Sequence, residues 1–60
     1  MNIARIDLAT GLVVNIECAD QTWLDAHAND PDFAFVTYDH DNPATVGLGY
    51  DPGTGFEQPA

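Results

Sequence analysis

Two stretches of strict hydrophobic alternation, separated by a short loop ending in glycine, constrain this chain more than any other feature. Over 2–8 (NIARIDL), Ala4, Ile6 and Leu8 share one side, and Ile3, Arg5 and Asp7 share the other. Period two marks a half-buried strand. Over 12–18 (LVVNIEC) the pattern returns, with Leu12, Val14, Ile16 and Cys18 inward and Val13, Asn15 and Glu17 outward. The intervening Ala9-Thr10-Gly11 suits a three-residue hairpin loop whose last position is left-handed. Residues 1–18 are therefore expected to form a β-hairpin.

The period then changes. Trp23, Leu24, His27 and Ala28 recur at helical spacing and form one face. Asp20 is placed to cap that helix by accepting backbone N–H groups of its first turn. Asn29, which tolerates a left-handed cap, and the following Asp30-Pro31 supply a stop. This predicts a short helix over 21–28, dependent on packing against a sheet. Residues 33–38 (FAFVTY) are aromatic and β-branched, the composition of a strand. Asp39 to Pro43 is turn chemistry. Residues 45–50 (TVGLGY) place Val46, Leu48 and Tyr50 on one face of a fourth strand, opposite a face nearly without side chains. Asp51-Pro52-Gly53-Thr54-Gly55 reads as a tight turn, and Phe56 as the start of a short fifth strand.

The order strand, strand, helix, strand, strand predicts an α+β fold. Its expected form is a small antiparallel sheet of four to five strands, arranged as two hairpins, with one short helix between strands 2 and 3. Sixty residues allow one domain, 1–60. A hydrophobic content of 45% argues for a folded chain. A domain of this size nevertheless buries only about 60% of the surface it exposes when unfolded. With one cysteine, no internal disulfide can reinforce it. These limits predict a marginal monomer, stabilised by a partner surface or by homo-oligomerisation.

Ten acidic residues against the single basic Arg5 give a net charge of -9. One cation cannot neutralise several phosphates, so direct nucleic-acid binding is not expected. No apolar run approaches the ~20 residues of a membrane span, and the opening MNIARIDLA lacks the features of a secretory leader. Asp39-His40-Asp41 with Asn42 is the densest polar cluster. Its carboxylates could face a cation, but Pro43 and Ala44 replace the ligand and glycine that a calcium loop needs, which favours a solvated turn. Cys18, His27 and His40 have no recognisable zinc spacing. A cysteine nucleophile would lack an electropositive setting. No catalytic residue, metal or cofactor is assigned, and the chain is not expected to be an enzyme.

The aromatic residues carry the remaining signal. Alternation over 33–38 puts Phe33 and Phe35 on one face and Val36 and Tyr38 on the other. One short helix cannot cover both, so aromatic surface is expected to remain for a partner. Val13, Phe33, Phe35, Tyr50 and Phe56 are the candidate contact residues.

The segment Ala44-Thr45-Val46-Gly47-Leu48-Gly49-Tyr50-Asp51, followed by a Gly-rich turn and Phe56-Glu57-Gln58-Pro59, resembles small β-rich modules of tailed-bacteriophage virion proteins, of tail-fibre, tail-associated or head accessory type. Leu48 stands where those modules commonly carry Trp. The opening Ile-rich strand, Gly turn and Val13-Val14-Asn15-Ile16 resemble them as well. The resemblance implies an accessory structural role in the virion, after synthesis in the host cytoplasm. It implies docking on larger capsid, baseplate or tail proteins, with no cofactor. The alternative is an acidic nucleic-acid mimic that occupies the basic cleft of a host DNA- or RNA-binding protein.

Overall fold

The computed structural model describes residues 1–59. The first two strands, β1 (Asn2–Asp7) and β2 (Val13–Cys18), form the expected antiparallel hairpin. Its loop begins one residue earlier than the alternation implies. The Asp7 carbonyl accepts the Gly11 N–H at 2.7 Å, and the Asp7 N–H donates to the Leu12 carbonyl at 3.0 Å. Leu8 therefore belongs to the loop and is 55% exposed, so it does not share the inner side with Ala4 and Ile6. Gly11 takes the left-handed conformation, with φ of 73°.

Helix α1 (Gln21–His27) starts where Asp20 caps it, the Trp23 N–H donating to Asp20 Oδ1 at 2.9 Å. It ends without a left-handed residue. Ala28 is helical, the Asp30 N–H reaches the His27 carbonyl at 3.2 Å, and Asn29 has an ordinary negative φ. The third strand, β3 (Phe33–Tyr38), has the expected bounds, but it pairs with β1. The sheet order is β2-β1-β3, so β2 and β3 run parallel on either side of β1, and α1 crosses over it.

Two expectations about the sheet need correction. First, the strands divide into a three-stranded sheet and a separate two-stranded ribbon, β4 (Gly49–Asp51) and β5 (Gly55–Glu57). The fourth strand is only three residues long because residues 47 and 48 bond to the hairpin instead. The Gly47 N–H donates to the Val13 carbonyl at 2.9 Å, and the Val13 N–H donates to the Leu48 carbonyl at 2.8 Å. Val46 is left 63% exposed, outside the face of Leu48 and Tyr50. Second, the β1–β2 register slips between Arg5 and Ile6. Arg5 pairs with Asn15 but Ile6 pairs with Val13, leaving Val14 as the extra residue of a bulge. The slip reverses the parity of everything before it. Val13 turns inward and is 1% exposed, whereas Val14 is 41% exposed.

Central position buries β1 on both faces. Ala4 and Ile6 join Val13, Ala44 and Phe56 in the main core, with Ile16, Val36, Tyr38, Leu48 and Tyr50 packed around it. Ile3 is fully buried on the opposite face, the side that Phe35 and the helix cover. One face of the sheet thus carries α1, and the other carries the ribbon.

The acidic residues have a local role in this architecture. A carboxylate accepts a nearby backbone N–H at five junctions: Asp7 from Ala9, Asp20 from Trp23, Asp30 from Asp32, Asp39 from Asp41 and Asp51 from Gly53, all at 2.7–2.9 Å. Short Asp side chains mimic a backbone turn in this way.

Candidate functional site

The sheet has two edges, and they differ in how they are protected. At β2, the bulge, together with residues 47 and 48 and the first residue of β4, occupies the first part, through the Val13 bonds and a Leu12–Gly49 bridge. Further along, Asn15 Nδ2 donates to Glu17 Oε1 at 3.0 Å, and Glu17 pairs with Arg5 at 2.8 Å. Bulges and charged side chains are the usual means of blunting an edge. At β3 neither device is present. Its six residues, FAFVTY, carry no charge, and β1 is its only strand neighbour among the described residues. An uncharged edge of this length is a template for another strand.

A groove of about 410 Å³ runs beside that edge, between Val36 and Tyr38 of β3 and Tyr50 and Phe56 of the ribbon, with Asp39 and Asn42 at its margin. Its wall is a cluster of three aromatic rings. Tyr38 meets Phe56 edge-on at 5.9 Å between ring centres, and Tyr50 lies against Phe56 at 4.9 Å. Asn42 fixes the ribbon there: its Oδ1 accepts the Phe56 N–H at 3.0 Å, and its Nδ2 donates to the Phe56 carbonyl at 3.4 Å. Gly55 lies directly beneath the Asn42 amide, with φ of 85°.

The other face of β3 is filled. Trp23 stacks on His27 at 4.0 Å, and both meet Phe35 edge-on, at 5.2 and 5.8 Å. His27 Nδ1 lies 2.7 Å from the Trp23 carbonyl, which can only accept, so this nitrogen carries the proton. Arg5 lies over Phe33 and Phe35, 5.3 and 5.6 Å from their ring centres. Its guanidinium thus combines an ion pair with cation–π contact. Its Nε is buried without a partner.

The five contact candidates divide among these environments. Val13 is a core residue and offers no surface; the bulge at Val14 is the reason. Phe56 is also buried, at 8% exposure, behind Tyr38 and Tyr50. Phe33 and Phe35 are half-buried around Arg5. Tyr50 is half-buried and lines the groove. Alternation over 33–38 had separated Val36 and Tyr38 from the Phe pair, but only the β4–β5 ribbon reveals that they form a groove. Asn42, read as part of a turn, proves to be its clasp.

Cys18 is exposed rather than an inward thiol, because it sits at the end of β2 opposite Asn2. At the Asp39-His40-Asp41 turn, Asp39 bonds the Asp41 backbone, and His40 Nε2 lies 3.5 Å from Asp41 with both side chains in solvent. Among the described residues no group of three or more His, Cys, Asp or Glu side chains could hold a metal ion, and no helix is long and apolar enough to cross a membrane. Comparison with protein-family models, characterised proteins and solved structures finds no match.

Proposed function

We propose that this chain is a binding module without catalytic activity, an accessory structural protein that docks on a larger capsid, baseplate or tail protein of a phage particle by accepting a strand at the β3 edge. The observation that carries the docking mode is the six-residue, uncharged edge of β3, without a strand neighbour on its outer side among the described residues and flanked by an aromatic groove. Main-chain hydrogen bonds along such an edge supply affinity, and a groove for alternate side chains supplies selectivity. The choice of a virion as the assembly rests on the sequence resemblance alone.

The test is to mix the isotope-labelled full chain with dissociated head and tail subunits of the phage that carries it, and to follow amide exchange. Slowed exchange within Phe33–Tyr38, together with mass-spectrometric detection of the chain in purified particles, is the expected result. Absence from particles, with no subunit protecting β3, overturns the proposal. Salt-sensitive competition with DNA for a basic enzyme cleft would replace it with nucleic-acid mimicry.

A further inference from the structure

The residues on either side of β3 narrow down which strand can occupy its edge. Asp30 and Asp32 precede the strand, and Asp39 and Asp41 follow it, whereas the strand itself carries no charge. Asp30 and Asp39 are anchored by turn bonds, so their carboxylates are fixed in place at the two ends of the edge. Arg5 forms its ion pair with Glu17 and not with any of these four.

We infer that the β3 edge is selective for an extended, uncharged partner segment bracketed by lysine or arginine at both ends, and that the same carboxylates prevent two copies of this chain from pairing β3 to β3. The inference rests on the strand-docking reading above and adds the chemistry of the occupant. A symmetric antiparallel pair of β3 strands would bring the Asp30/Asp32 end of one copy against the Asp39/Asp41 end of the other. Both ends of that ladder would hold only like charges, in a protein already at -9. Like charges opposed across strands destabilise pairing, and opposite charges stabilise it. A basic-flanked segment meets the reverse condition at both ends, while its central side chains alternate between solvent and the Tyr38–Tyr50–Phe56 groove. Charged residues beside an unavoidable hydrophobic strand are a recognised guard against self-association.

Three synthetic peptides test this against the full chain by fluorescence anisotropy. All share a central Val-Thr-Val-Tyr-Val-Thr segment. One has two lysines at each end, one has two glutamates at each end, and one has lysine ends with alternate central amides N-methylated. The expected result is binding of the lysine peptide about tenfold or more tighter than the glutamate peptide. The difference should shrink in 0.5 M salt, and the methylated peptide should not bind. Equal binding of the lysine and glutamate peptides overturns the charge selectivity but leaves strand docking intact. Failure of both removes the docking reading itself. Undiminished binding of the methylated peptide shows mere charge attraction and overturns the inference. A variant carrying D30N, D32N, D39N and D41N retains the side-chain oxygens that close the turns. It should lose the lysine preference and sediment as a dimer; a strictly monomeric variant with unchanged preference overturns both halves of the inference.

Discussion

Replacing Asn42 by Ala removes the clasp that holds the ribbon against the sheet, and its cost can be worked out bond by bond. The Phe56 N–H loses a 3.0 Å partner and the Phe56 carbonyl a 3.4 Å one. A hydrogen bond contributes about 1 kcal/mol net, and a poorly solvated N–H left unpaired costs about 1–3 kcal/mol. The second bond is long and adds little. An expected loss of about 2 kcal/mol corresponds to a fall in Tm on the order of 10 °C for a domain of this size. The companion change is Gly55→Ala. Its φ of 85° strains any L-residue, and the new methyl would strike the Asn42 amide. Gly11→Ala isolates the strain, because φ is 73° there and nothing lies within 4 Å of the added carbon. That strain costs about 1–2 kcal/mol. Gly55→Ala should therefore exceed Gly11→Ala in the wild-type background and equal it once Asn42 is Ala. Urea unfolding followed by far-UV circular dichroism and by Trp23 fluorescence measures all four variants, the Asn42→Ala/Gly55→Ala double included. Trp23 lies on the far face of the sheet, so coincident transitions also show that ribbon and sheet unfold together. Strict additivity of Asn42→Ala and Gly55→Ala would refute the clasp, since contacting residues must couple.

The bulge makes a second prediction. Val13→Ala should cost about 2 kcal/mol, from two buried methyl groups at ~0.8 kcal/mol each plus the cavity, while Val14→Ala stays within about 0.5 kcal/mol; equal losses in urea melts would place the register slip elsewhere. Arg5→Met keeps the stem over Phe33 and Phe35 but leaves Glu17 with the Asn15 amide and no ion-pair partner, and because the pair is part-exposed the cost should be about 1 kcal/mol at low salt. Added salt should stabilise wild type and variant alike by screening the net charge, so a wild-type Tm that falls between 20 and 500 mM sodium chloride contradicts the self-repulsion argument.

How far these features were legible depends on whether they are local. The hairpin, the helix and β3 follow from periodicity, and Asp20 identifies itself as a cap because the helical face begins three residues later. The bulge was hidden because Val13 and Val14 are chemically identical, so alternation could be counted from either one. The short β4 was hidden for a different reason: Gly47 and Leu48 give their backbone groups to Val13, a partner far away in sequence. Pairing of β3 with β1 is likewise a choice among neighbours that no local pattern encodes. Of the site, the aromatic residues were visible beforehand, but which of them share a groove depends on where the ribbon lands.

The open edge is a consequence of how few elements must cover a two-faced sheet. Burial of Ile3 on one side of β1 and of Ala4 and Ile6 on the other requires a layer over each face. The helix forms one layer and the ribbon forms the other, and the ribbon is anchored at the start of β2. Nothing remains among the described residues to lie along β3, where an unblunted strand would ordinarily drive aggregation. The carboxylates resolve that conflict without an additional element. Asp30 and Asp39 first close the turns that begin and end the strand. Because those turns lie at the ends of the edge, the same groups set its charge. The turn role needs only an oxygen acceptor, which Asn would also supply; the charge is a separate property, and it acts on whatever approaches β3.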